Sequence, residues 1–317
     1  MKILLTGGAG FIGSHIAEMY CSHGFDVVVV DDLSTGKLAN LAFDSSHHLK
    51  FVHEDIRDPE AMERVFDEYG PFDIVNHQAA HVSVSESMKS PVHDIETNII
   101  GTLNVLSIAR GCSKFIFSSS GGTVYGMHTT PRDESHPTEP LSIYGVSKLA
   151  CEKLVKLKAG EMNFSYAILR YANVYGPKQT PHGEAGVVSI FLEKMLSDQV
   201  CTLYSGGQCS RDYIYVTDVV KANEICTLTP GANGIYNVST GKTIRTKEVY
   251  SFLSEKLIEK SIVDSTKKEL APDRAGDIPY SCCIPGCIPS WKPEVDFERG
   301  LDNLLAYANC KEDVCVK

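Results

Sequence analysis

Three observations predict an α/β fold for this 317-residue chain: a doubly wound parallel sheet with a smaller C-terminal α/β domain. A strongly apolar strand at the amino terminus runs straight into a glycine-rich turn and then a helix. Strand-like and helix-like segments alternate after it, the pattern of parallel strands joined by right-handed helical crossovers. Near residue 175 the alternation gives way to shorter elements punctuated by Pro177, Pro181, Gly183 and Gly186, which place a domain boundary there. The expected division is 1–175 for the sheet domain and 176–317 for the second domain, with a later segment free to return to the first.

Residues 2–6 (KILLT) read as the first buried strand, Gly7-Gly8-Ala9-Gly10-Phe11-Ile12-Gly13 as the turn, and 15–20 as part of the first helix. In that context the glycines permit a tight turn and close approach of backbone to a pyrophosphate, and the helix N-terminus offers N–H groups and a positive dipole end. This is the Rossmann arrangement. The second strand, 26–30 (DVVVV), ends at Asp31-Asp32, eighteen residues beyond Gly13. A carboxylate there accepts bonds from the adenosine ribose hydroxyls and repels a 2′-phosphate, so NAD is expected rather than NADP.

The alternation continues with a strand over 49–53, a helix over 59–69, a strand over 72–76 and a long helix over 91–110. A strand over 113–118, a helix from 142 to about 160 and a strand over 164–170 complete it. The stripe Val92, Ile95, Ile99, Leu103 and Leu106 on the long helix reads first as core. Ligands bind at the carboxyl ends of strands in such sheets. Asp55-Ile56, Asn76-His77-Gln78-Ala79-Ala80 and Ser118-Ser119-Ser120 all fall there.

A hydrophobic content of 43% is enough for a large core, and a formal net charge of −10 argues against nucleic acid or an anionic membrane as the main partner. No apolar run approaches a membrane span, and Met1-Lys2 leads directly into the first strand, so a cytoplasmic protein is expected. The eleven cysteines form no Cys-x-x-Cys pair and the eleven histidines show no metal spacing. Buried reduced thiols and no metal site are the expectation. Cys282, Cys283 and Cys287 cluster late in the chain with no role assigned.

Within the helix from 142, Tyr144 and Lys148 stand at i and i+4 and therefore share a face. A free phenol, with a pKa of roughly 10, is scarcely ionised at neutral pH. A fixed ammonium about 6 Å away, at an effective dielectric of ~20, favours the phenolate by about 3 kcal/mol, which brings the pair within reach of proton-shuttle chemistry.

Read together, TGGAGFIG, DDLSTG, HQAAHVSV, FIFSSSGGTVYG, YGVSK, LRYANVYGP, SRDYIYVTDVV and RAGD resemble, in that order, the extended short-chain dehydrogenase/reductase family. The chain is most similar to its nucleotide-sugar epimerases of the UDP-glucose 4-epimerase type, over nearly its whole length. The resemblance implies NAD-dependent 4-epimerisation of a UDP-hexose through a 4-keto sugar, with Tyr144 as acid/base and Lys148 holding and tuning it. Ser120 is the implied hydroxyl partner of the sugar, with Ser119 and Thr123 as alternatives. Gly7, Gly10, Phe11, Ile12, Gly13, Asp31, Asp55, Ile56, Ala79, Asn98 and Tyr171 are implied to line the cofactor.

On the substrate side the resemblance implies Ser83, Asn173, Arg211, Arg274, Asp277 and Ser281. Guanidinium forks match phosphate oxygens, so Arg211 and Arg274 suit a sugar-nucleotide diphosphate; the bland alternative pairs them with Asp212 and Asp277. Ser281, four places after Asp277, would border the sugar 2-position and leave room for an N-acetyl group, whereas a shift of one residue would put Tyr280 there. Related 4,6-dehydratases carry an Asp-Glu pair where this chain has Gly121-Gly122-Thr123, a stretch without acid/base groups. Other readings are a UDP-uronate 4-epimerase and a non-catalytic NAD-sensing protein, which usually lacks the Tyr or the Lys. A homodimer paired through the long helix and the Tyr144 helix is also implied.

Overall fold

The computed structural model of the protein describes residues 1–42, 48–181, 186–273 and 278–315. The expected α/β architecture is present. Its strands are β1 (Lys2–Thr6), β2 (Asp26–Asp31), β3 (Leu49–His53), β4 (Ile74–His77), β5 (Lys114–Ser120) and β6 (Ser165–Tyr171), followed by β7 (Asn173–Tyr175), β8 (Val200–Tyr204), β9 (Ser210–Tyr215) and β10 (Gly234–Val238). Seven of them form a wholly parallel sheet in the order β10-β6-β5-β4-β1-β2-β3. The chain winds outward from β1 to β3, then crosses back to β4 on the other side of β1. The crevice this reversal opens above β1 and β4 is where a doubly wound sheet binds its ligand.

Alternation along each strand sends side chains to both faces, and each face carries a core. Ile3, Leu5, Val27 and Val29 pack with Ile16 and Tyr20 of the Phe11–Ser22 helix and with Val219 and Ala222 of the Val216–Leu228 helix. Leu4, Val28 and Val30 pack on the other face with Met62, Val65, Leu106 and Val155. The Val216–Leu228 helix and β10 thus belong to the large sheet layer although they follow residue 175 in the chain.

β6 gives way at Ala172 to β7, which joins a second sheet. There β9 pairs in parallel with β7 and with β13 (Tyr280–Ser281), and antiparallel with β11 (Thr243–Arg245). β12 (Lys267–Ala271) pairs with β8. Tyr175, Phe191, Leu203, Tyr213, Leu253 and Leu301 build the core of this lobe.

Strand edges differ from the expected ones by a few residues because the partner strand sets them. β4 starts at Ile74, opposite Ile3, since Asp73 is occupied with the backbone of Lys2 (Asp73 N to Lys2 O 2.9 Å, Lys2 N to Asp73 Oδ2 2.8 Å). The long helix runs over 91–107 and contains a π-helical turn at Glu96–Ile100. Its stripe is core only toward the end: Leu106 is buried, Ile99 and Leu103 are half-buried, but Val92 and Ile95 are 65% and 41% exposed. A π turn holds one extra residue, so the face presented by the first turns is not the face presented by the last. Among the described residues no helix is long and apolar enough to cross a membrane.

Candidate active site

The glycine turn is built to the limit of backbone packing. Gly7 has φ +68°, and a Cβ on it would stand 2.6 Å from Ala79 N; a Cβ on Gly13 would overlap the Gly7 carbonyl. Asp31, at the end of β2, braces this turn by accepting from Ala9 N and Leu33 N, each at 2.9 Å. Burial pushes its carboxyl up while these bonds pull it down. Asp31, Asp32, Glu54 and Asp55 all line this end of the cleft, a wall of carboxylates that excludes an extra phosphate. Arg57 holds Asp55 from two nitrogens, at 2.8 and 2.6 Å, and keeps its carboxyl below the usual range.

At the other end stands the Ile143–Met162 helix, capped by Ser142 Oγ on Gly145 N (3.1 Å) and pinned where Tyr144 N donates to Ser87 Oγ (3.1 Å). Tyr144 and Lys148 are both buried, with the ammonium 5.9 Å from the phenol ring centroid and 5.0 Å from that of Phe117. Lys148 Nζ donates to Ser118 O at 2.9 Å. The nearby His77 ring lies between Thr6 Oγ1 (2.6 Å) and Thr102 Oγ1 (3.0 Å); burial pulls its pKa down to about 3, so it is neutral beside Lys148. All three candidate hydroxyl residues line the cleft, but Ser119 Oγ is committed to Glu152 Oε1 at 2.6 Å.

One cleft of about 470 Å³ brings together Gly7, Gly10, Phe11, Ile12, Gly13, Asp31, Asp55, Ile56, Ala79 and Tyr171 with Ser120, Tyr144, Lys148, Asn173 and Arg211. Arg211 projects from β9 into it. Its neighbour Asp212 turns the other way and is buried against Thr240 N, Thr240 Oγ1 and Gly241 N, so the bland pairing of Arg211 with Asp212 is replaced by strand alternation.

Three expected residues stand off the cleft surface. Asn98 bonds the backbone N and O of His81 and Ser147 Oγ; the π turn puts Thr97 on the wall in its place. Ser83 caps the Val84–Lys89 helix through Glu86 N. Ser281 is buried behind Gly122: its hydroxyl and that of Ser120 both lie 3.9 Å from where a Cβ on that glycine would sit. Tyr280 instead packs edge-on against His128, with ring centroids 5.8 Å apart. Arg274 and Asp277 lie outside the described residues.

Sequence reasoning missed Thr97, Lys178 and Gln179. The π turn left no local signal, and Lys178-Gln179 sit in the irregular chain after LRYANVYGP. Lys178 lines the cleft and reaches across to Asn40 O (3.1 Å) and Glu18 (3.4 Å), while Pro177 O meets His15 Nε2 at 3.0 Å. This segment latches the second lobe to the first helix.

The cleft residues fit a dinucleotide. Thr97 Oγ1, Thr123 Oγ1 and Gln179 Oε1 are buried on its wall without a partner among the described residues, as expected of groups that a polar ligand satisfies. With the glycine cradle, the carboxylate wall and a phenol–ammonium pair, the arrangement suits proton transfer to a sugar hydroxyl beside a nicotinamide.

The model of the "NAD dependent epimerase/dehydratase family" matches residues 3–239. A putative UDP-glucose 4-epimerase of Methanocaldococcus jannaschii is 38% identical over 308 residues, 96% of this chain and 97% of that protein. Among solved structures, a UDP-glucose 4-epimerase of Thermus thermophilus in complex with NAD superposes with a TM-score of 0.90 at 39% identity, over 98% of this chain and 99% of its own. A UDP-N-acetylglucosamine 4-epimerase of Methanobrevibacter ruminantium, in complex with UDP-N-acetylmuramic acid, gives 0.88 at 31%, over 98% of both chains.

Proposed function

This chain belongs to the NAD dependent epimerase/dehydratase family and is an NAD-dependent 4-epimerase; from that premise we propose that it interconverts UDP-glucose and UDP-galactose and also accepts their N-acetylated forms. The observation that carries the reading is the buried Tyr144–Lys148 pair on a cleft wall that Gly122 and Thr123 also line, the stretch Gly121-Gly122-Thr123 holding no carboxylate to drive dehydration.

Bound NAD supplies the acceptor and donor of the two electrons at the sugar carbon. Tyr144, ionised beside Lys148, takes the proton of the sugar 4-hydroxyl as that carbon is oxidised, and the ketone oxygen is held by the Ser120 hydroxyl, with Thr123 beside it. Arg211 and Asn173 anchor the diphosphate while the keto sugar turns to present its other face. Tyr144 then returns the proton to the 4-oxygen, and the configuration is inverted with no net redox change. The N-acetylated substrates rest on the likeness to the UDP-N-acetylglucosamine 4-epimerase of Methanobrevibacter ruminantium, because Ser281, expected at the sugar 2-position, is buried off the cleft surface and Tyr280 packs against His128.

We propose further that the active form is a homodimer. Val92 and Ile95 on the long helix and Leu157 on the Tyr144 helix are exposed, Leu157 at 67%, and an isologous helix-on-helix contact would cover them. A monomeric mass by light scattering with full activity would remove that proposal. The free thiols of the described cysteines suit the reducing cytoplasm.

The test of function is incubation with UDP-glucose, UDP-galactose, their N-acetylated forms and UDP-glucuronate, followed by chromatographic separation of the 4-epimers. Conversion of the first four is expected. A 4-keto-6-deoxy product, or no product from any of them, would reject the reading, and turnover of UDP-glucose without UDP-N-acetylglucosamine would reject the N-acetyl part alone.

A further inference from the structure

One buried charged group beside the site has no part in the chemistry above. Glu152 lies four residues beyond Lys148 on the same face of its helix and is 2% exposed. Arg170 of β6, 3% exposed, grips it with Nε on Oε1 at 2.8 Å and Nη2 on Oε2 at 2.7 Å. The third guanidinium nitrogen, Nη1, donates to Tyr125 Oη at 2.8 Å, and that hydroxyl donates to Asn237 Oδ1 at 2.8 Å. Such a pair adds little net stability because desolvation offsets attraction, but it holds its members in one geometry.

What it holds is the end of β5. Ser119 Oγ donates to Glu152 Oε1 at 2.6 Å. On one side, Ser118 offers the carbonyl that receives Lys148 Nζ. On the other, Ser120 stands on the cleft wall. The tether is therefore the middle of a three-residue run whose outer members touch the ammonium and face the sugar.

We propose that Glu152, braced by Arg170, is a positioning residue: through Ser119 it sets the placement of the Ser118 carbonyl and the Ser120 hydroxyl, and so the relation of Lys148 to Tyr144 and of both to the sugar 4-oxygen. The inference rests on the reading of Tyr144 and Lys148 as the acid/base pair.

Ser119→Ala removes the tether, together with a hydroxyl on the cleft wall, and leaves the Glu152–Arg170 pair whole, whereas Glu152→Gln leaves a buried guanidinium without its counter-charge and risks misfolding. For Ser119→Ala the expected result is a kcat lower by about tenfold with KM within about twofold. The acid limb of the kcat–pH profile should move to higher pH, because a less firmly held ammonium favours the phenolate less. Ser119→Thr, which keeps the hydroxyl, should recover most of the loss. The inference is overturned if Ser119→Ala keeps the wild-type kcat and pH limb, whatever its thermal midpoint, in a preparation where wild type turns over and Tyr144→Phe does not. A wild-type protein inert toward every UDP-sugar would instead overturn the functional reading and this inference with it.

Discussion

The two ends of the cleft are made in different ways. The cofactor end comes from one short piece of chain: the glycine turn between β1 and the first helix, with Asp31 reaching back to Ala9 N at 2.9 Å. Its specificity lies in backbone that no side chain can replace. The sugar end is assembled from β5, the Tyr144 helix, β6, β7 and β9, and its geometry is held by side chains far apart in sequence, such as Ser119 on Glu152 and Asn237 under Tyr125. A cofactor common to many reactions can be gripped by a fixed local motif, whereas the substrate is read by contacts that vary one at a time.

That contrast breaks most sharply at Tyr144. Tyr144→Phe removes the proton carrier and nothing else, so kcat should fall by about 10²- to 10⁴-fold while bound NAD, measured by absorbance of the purified protein, is unchanged. Retention of more than a tenth of the activity would show that another group moves the proton. At the opposite end, Gly13→Ala should act on the cofactor first. The added methyl meets the Gly7 carbonyl, and NAD retained after desalting should fall by about tenfold or more. Equal retention would mean that the turn yields, contrary to the rigidity attributed to it.

The smallest effect belongs to His77, which lies on β4 beside both ends. Its folded pKa of about 3 is below its ordinary 6.5, so its contribution to stability is full above pH 6.5 and declines as pH falls toward 3. The slope from one such group is at most about 1.4 kcal/mol per pH unit. Urea unfolding at pH 7, 6 and 5 should show His77→Gln losing less stability over that range than wild type. Parallel slopes would mean that the ring takes up its proton in the folded protein as readily as in the unfolded chain.

Much of the fold and part of the site can be read from local pattern alone. The spacing of Gly7, Gly10 and Gly13 between a strand and a helix, Asp31 at the end of the next strand, and Tyr144 with Lys148 one turn apart are each set within a single element. The 3.6-residue and two-residue periods carry that information directly. Tertiary structure decided the rest. A π turn moved Asn98 off the wall and put Thr97 on it, and Val92 and Ile95 of the same stripe remain exposed. Pairing of Tyr280 with Ser210 and of Ser281 with Arg211 is what turns Ser281 toward Gly122 and leaves Tyr280 against His128. β10 returned to the large sheet from beyond residue 175, and Glu152 met Arg170 across eighteen residues of chain. Each of these outcomes depends on which strand or helix lies alongside, a matter of long-range packing that spacing within one segment does not encode.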